Sequence, residues 1–129
     1  VSEGSEIAEF CNIDEILYDL NKSSITKQAM KELDKLVECM NANKSIKVEI
    51  GSHTDCRASD SYNQSLSNKR AKSAKDYVIS KGISSERIFG KGYGESKLLN
   101  NCDCNSGSGS GCSEAEHQRN RRTEFRIVQ

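Results

Sequence analysis

The chain is 129 residues long, enough for one domain with a modest core and too short for two. Its 19 basic residues balance 19 acidic ones, so no global field draws it to nucleic acid or to an anionic membrane. No apolar run approaches the length of a membrane span, and Val1 does not open a signal peptide. The chain therefore reads as an excised or mature domain, with any membrane anchor outside it. Six cysteines, an even number, point to a compartment that permits disulfides and leave the pairing open.

Residues 1–14 read as an N-terminal extension or edge strand, with Ile7, Phe10 and Ile13 scattered along it and Cys11 among them. The domain proper is residues 15–129. Ile16, Leu17 and Tyr18 read as a buried strand ending at Asp19, and residues 21–24 as a polar turn. From Thr26 onward a helix is signalled: Ile25, Ala29, Met30, Leu33, Leu36, Val37 and Met40 recur at helical spacing as one core face. Asn41 and Asn43 end it. Ile46, Val48 and Ile50 then alternate with Lys47 and Glu49, the pattern of a strand covered on one face.

A second helix is expected over residues 60–81, with Asp60 as its N-cap and Gly82 as its stop. Its core stripe is Leu66, Ala74, Tyr77 and Val78. Residues 84–87 make one short turn before a third strand at 88–93. Gly90, Gly92 and Gly94 superficially resemble a phosphate-cradling loop, but no apolar helix follows them, so they read as a sharp exit from a strand. Ser-Gly repeats between Cys102 and Cys112 cannot bury apolar surface, and the cysteines at both ends suggest a disulfide staple. A metal site built from Cys102, Cys104 and Cys112 or His117 is the rival, against which the C-x-C spacing speaks. Ser113 and Glu116 form a capping box for a short helix. A last strand follows in which Thr123, Phe125 and Ile127 alternate with Glu124, Arg126 and Val128, with Arg121 and Arg122 at its entrance.

The chemistry concentrates in residues 51–74. Asp55 stands just past a strand end, and Asn63, Ser67 and Arg70 share one face of the following helix. A carboxylate facing a guanidinium makes a pocket for a zwitterion: Asp55 accepts from an ammonium and Arg70 grips a carboxylate. The plainer alternative is that the two simply pair with each other.

The HTD of residues 53–55, the YN of 62–63, the LS of 66–67 and the RA of 70–71 resemble the peptidoglycan-binding domain of the OmpA-like family. So do GKGYGES (90–96) and NRRTEF (120–125). The resemblance covers most of the chain from Tyr18 onward. The order β-α-β-α-β-(short α)-β argues for an α+β or α/β sandwich with helices packed on one face of a small sheet, and the resemblance implies the α+β form with a four-stranded mixed sheet. It further implies that Asp55 and Arg70 hold the diaminopimelate of a cell-wall stem peptide. Asn63 adds a hydrogen bond, Arg121 lies beside the pocket, Asp19 and Leu20 form its rim, and Thr54 and Leu66 complete the ligand set.

The implied function is non-covalent wall binding, with no cofactor, metal or catalysis, by a periplasmic domain. It would tie an outer-membrane protein or lipoprotein to peptidoglycan through a region outside this chain, without inserting into the membrane itself. Two alternatives keep the fold: a docking module for other envelope proteins, and a wall-peptide hydrolase using His53, Asp55 and His117. The second lacks a nucleophile or third ligand at convincing spacing.

Two departures stand out. Ala58 sits where many members carry Gly, and Cys56 where many carry Ser or another small polar residue. HTDCRA, the CxC of 102–104 and CSEAEHQ (112–118) together resemble a subgroup with an extra cysteine framework. In that subgroup Cys56 is expected to bridge to the Cys102–Cys112 loop, Cys104 included. Cys11 and Cys39 remain as a second pair, bridged or free.

Overall fold

The periodicity of residues 25–40 condenses into helix α1 (Lys27–Ala42), and the alternation of residues 46–50 into strand β2 (Lys47–Ser52). The computed structural model describes residues 23–100 and 112–128, together with Cys11, Ile13, Ile16, Leu17, Cys102 and Cys104. Most of the expected N-terminal extension lies outside the described residues. Thr26 caps α1, its hydroxyl accepting from the Ala29 amide at 3.1 Å. Ala29, Leu33, Leu36 and Met40 are buried as expected, but Met30 is 37% exposed. It stands beside the stripe rather than in it, and the place is taken by Glu32, buried against Lys35.

Helix α2 (Asp60–Ser80) is capped by Ser59, one residue earlier than expected. The Ser59 backbone is extended and its hydroxyl accepts from the Tyr62 amide at 3.2 Å. Asp60 instead falls in the first turn, where a negative charge favours the helix dipole. Gly82, at φ +104°, follows the helix end. A 3₁₀ turn (Ser85–Arg87) then delivers β3 (Ile88–Gly92), which stops one residue short of Tyr93. From that turn Arg87 reaches back to donate to the carbonyls of Met40, Asn43 and Ile46 at 2.9–3.2 Å. One guanidinium thus satisfies the open end of α1 and ties it to the start of β2. The expected capping box between Ser113 and Glu116 starts α3 (Glu114–Gln118), and β4 (Arg122–Val128) completes the chain.

With the two-residue β1 (Ile16–Leu17), the strands form a four-stranded sheet in the order β1-β4-β2-β3. Strand β4 runs antiparallel to both neighbours, and β2 and β3 are parallel, so the sheet is mixed. Register pairs Val48 with Ile127 and with Ile88, and Ile50 with Phe125. These side chains meet Leu33, Leu36, Met40, Ala74 and Val78 in one core, so the helices cover a single face of the sheet. This is the expected α+β sandwich.

The glycines of β3 serve a purpose that the sequence reading missed. A Cβ on Gly92 would lie 2.5 Å from the Asn68 amide nitrogen and 2.5 Å from Ser67 Oγ, and one on Gly90 would lie 3.3 Å from the Ala71 carbonyl. They let α2 lie directly on the strand. Only Gly94, at φ +57°, makes the turn out of it.

Candidate functional site

Where β2 ends, the Ser52 and Thr123 hydroxyls meet at 2.7 Å. The next two amides leave the sheet in different directions: His53 donates to the Arg122 carbonyl at 2.8 Å and Thr54 to that of Gly94 at 2.9 Å. Asp55 is thereby carried into the interior, only 2% exposed. One of its oxygens accepts the Arg57 amide at 3.0 Å. The other accepts Arg57 Nη2 at 2.7 Å and Arg121 Nη1 at 3.1 Å. Both guanidinia continue outward to Glu114: Arg57 Nη2 reaches its Oε1 and Arg121 Nη2 its Oε2, each at 2.9 Å. Two carboxylates and two guanidinia thus alternate from the interior to the surface.

Burial by itself would raise the Asp55 carboxyl. The hydrogen bonds from the Arg57 side chain and amide and from Arg121 outweigh it, holding the group below the ordinary carboxylate range. Asp55 is therefore charged. Glu114 is likewise lowered, first by Arg121 and then by Arg57.

Helix α2 presents Asn63, Ser67 and Arg70 on one buried face, as expected. Arg70 is completely buried, and its Nη1 donates to the His53 carbonyl at 2.9 Å, bracing the backbone two residues before Asp55. Asn63 donates to Glu95 at 2.9 Å, and Ser67 Oγ accepts the Gly94 amide at 2.9 Å. Thr54 is buried, and its hydroxyl has no hydrogen-bond partner among the described residues. Leu66 is buried, while Asp19 and Leu20 lie outside the described residues. Ala58, at φ 81°, occupies the left-handed region that a glycine would hold more easily.

Three disulfides, Cys56–Cys104, Cys102–Cys112 and Cys11–Cys39, use all six cysteines. The first attaches the residue between Asp55 and Arg57 to the loop, and the second ends one residue before the Ser113 cap of α3. Sulfur atoms of Cys102 and Cys112 lie near the Glu116 carboxylate. Joined as a disulfide, they offer no thiolate for a metal.

His53 belongs to different surroundings. Its ring stacks on Tyr93 at 5.0 Å between centroids, and its Nε2 lies 3.6 Å from Glu124. Burial, aided by Arg122 and Lys97, lowers its pKa to about 3. Among the described residues Asp55 takes its hydrogen bonds from Arg57 and Arg121, and His53 does not pair with it.

Sequence reasoning missed Arg57, Glu114 and Glu95. The Asp-x-Arg spacing of residues 55–57 was a local signal for the first. Glu114 carried none beyond its place in the short helix.

The OmpA family profile matches residues 17–110. The chain belongs to the OmpA family. Outer membrane protein A of Salmonella typhi is 41% identical over 93 residues, which are 69% of this chain and 27% of that protein. The Photosystem I P700 chlorophyll a apoprotein A2 of Gloeobacter violaceus is 43% identical over 82 residues, 64% of this chain and 9% of that protein. This OmpA-family chain thus spans about a quarter or less of these relatives' length. The peptidoglycan-associated lipoprotein from Burkholderia pseudomallei shares the fold, with a TM-score of 0.77 at 20% identity over 88% of each chain. Among the described residues no helix is long and apolar enough to cross a membrane.

Proposed function

We propose that this domain binds peptidoglycan non-covalently through the diaminopimelate of the stem peptide and so anchors an outer-membrane protein or lipoprotein to the wall. The observation that carries the reading is the buried, ionised Asp55, set at a strand end among guanidinia. Diaminopimelate brings an ammonium and a carboxylate on one carbon. Asp55 accepts from the ammonium, and the guanidinium of Arg70 holds the carboxylate. Asn63, Thr54, Leu66 and Arg121 line the approach, with Asp19 and Leu20 at the rim. Family membership supports the reading, as does the fold shared with a protein named for its association with peptidoglycan. Modest affinity suffices, because a wall presents ligand at high local density and many anchored copies act together.

The site binds without turnover. Arginines hold its carboxylate charged while leaving it room to accept from an ammonium, and His53 is engaged with Tyr93 and Glu124 rather than with Asp55. The test is sedimentation with purified diaminopimelate-type peptidoglycan. Wild type co-sediments and releases no fragments, Asp55→Asn and Arg70→Ala do not co-sediment, and lysine-type wall binds much more weakly for want of the second carboxylate. Variants that sediment like wild type would remove the site assignment, and fragment release would revive the hydrolase.

A further inference from the structure

We infer that Glu114 is an internal stand-in for a ligand carboxylate: it occupies the Arg57–Arg121 guanidinium pair until a carboxylate of the bound molecule displaces it. Each Glu114 oxygen takes one guanidinium at 2.9 Å, the two-point grip that a free carboxylate would receive there. The two anions of the network differ in how they can move. Asp55 is buried with a side chain 3% exposed, whereas that of Glu114 is 60% exposed at the head of a five-residue helix. That helix does not need Glu114, since Ser113 and Glu116 cap it. Asp55 keeps the arginines in place when Glu114 swings away, so a second anion meets a prepared site.

The consequence is selectivity. Binding at this pair is an exchange of one carboxylate for another, so a neutral amide gains nothing there, and Glu114 sets how strong an incoming carboxylate must be. The identity of that carboxylate, one borne by a wall stem peptide, rests on the peptidoglycan reading. The presence of the exchange site does not.

The experiment titrates acetate into wild type and Glu114→Gln while following the side-chain NH resonances of Arg57 and Arg121. Glutamine matches the shape without the charge, and Glu114→Ala repeats the test without the side chain. An exposed ion pair contributes modestly, so both variants are expected to saturate at about fivefold less acetate than wild type, with shifts centred on these two arginines. Equal midpoints, or shifts spread over other basic residues, overturn the inference. Sedimentation separates the two readings. A protein that ignores the wall yet shows the acetate difference keeps the Glu114 assignment and loses the wall ligand. One that sediments without that difference does the reverse.

Discussion

Asp55 and Arg121 are 66 residues apart in the chain, and a 3.1 Å hydrogen bond joins their side chains inside the fold. Both side chains are at most 4% exposed. A buried charge that loses its partner is left without water to replace it, so the pair couples the exit of β2 to the entrance of β4. Asp55→Ala is expected to cost about 3 kcal/mol of stability. Arg57→Ala, whose side chain is 36% exposed, is expected to cost less than about 1 kcal/mol. Urea denaturation measures both, and equal losses would mean that Arg121 does not need Asp55. Wall-binding assays on Asp55 variants accordingly require a check of the folded fraction.

Two buried groups give stability two acid windows. His53 has its pKa lowered from 6.5 to about 3 in the folded protein. The unfolded chain therefore takes up this proton first. Its contribution is complete above about pH 6.5 and declines as pH falls toward 3, by at most about 1.4 kcal/mol per unit. Asp55 is lowered from 3.8, so its contribution is present above that value and disappears as pH drops through the folded pKa. Urea midpoints of His53→Gln should be flat between pH 6 and 4 relative to wild type, while the loss below 4 persists. A wild-type midpoint unchanged from pH 6.5 to 4 would show that His53 is not held neutral.

The disulfides brace the arginine network from both sides, Cys56 beside Asp55 and Cys112 beside the cap of α3. The chain-entropy model assigns about 4 kcal/mol to Cys56–Cys104, with its separation of 48 residues, and about 3 kcal/mol to Cys102–Cys112, with 10. Paired serine substitutions should lower stability by up to these amounts, more for the first pair. Reduction should also weaken wall sedimentation by loosening the turn that aims Asp55. Mass spectrometry of unreduced peptides checks the pairing; binding indifferent to reductant would show that the turn holds without its bridge.

Backbone geometry supplies a contrast of sign. Gly92→Ala forces α2 away from β3, because the new methyl meets the Asn68 backbone nitrogen as well as the side-chain ends of Asn68 and Ser67, and the helix backbone cannot step aside alone. The expected loss is about 2 kcal/mol, of the kind seen when packed interiors are overfilled. Ala58→Gly relieves a φ of 81° at some cost in unfolded-chain entropy, so it should leave stability unchanged or raise it by up to about 1 kcal/mol. Thermal melts of the two variants should move apart, and a destabilised Ala58→Gly would contradict the strain argument.

Local patterns were legible in the chain because they depend on neighbours a few residues away. The helical stripe of α1, the alternation of β2 and β4, the stop at Gly82 and the capping box of Ser113 and Glu116 are all of that kind. So was the shared face of Asn63, Ser67 and Arg70, since positions four and seven apart must coincide on a helix. The motif spacing of HTD, YN, LS and RA carried the family. Tertiary structure decided what depends on distant segments meeting. It put Met30 outside the core and turned Gly90 and Gly92 into a seat for α2. It brought β4 beside β2, so that Arg121 reaches Asp55, and placed α3 so that Glu114 closes the network over Arg57. No periodicity announces such a meeting, because a charge buried beside its partner and a charge left in water have the same one-letter code.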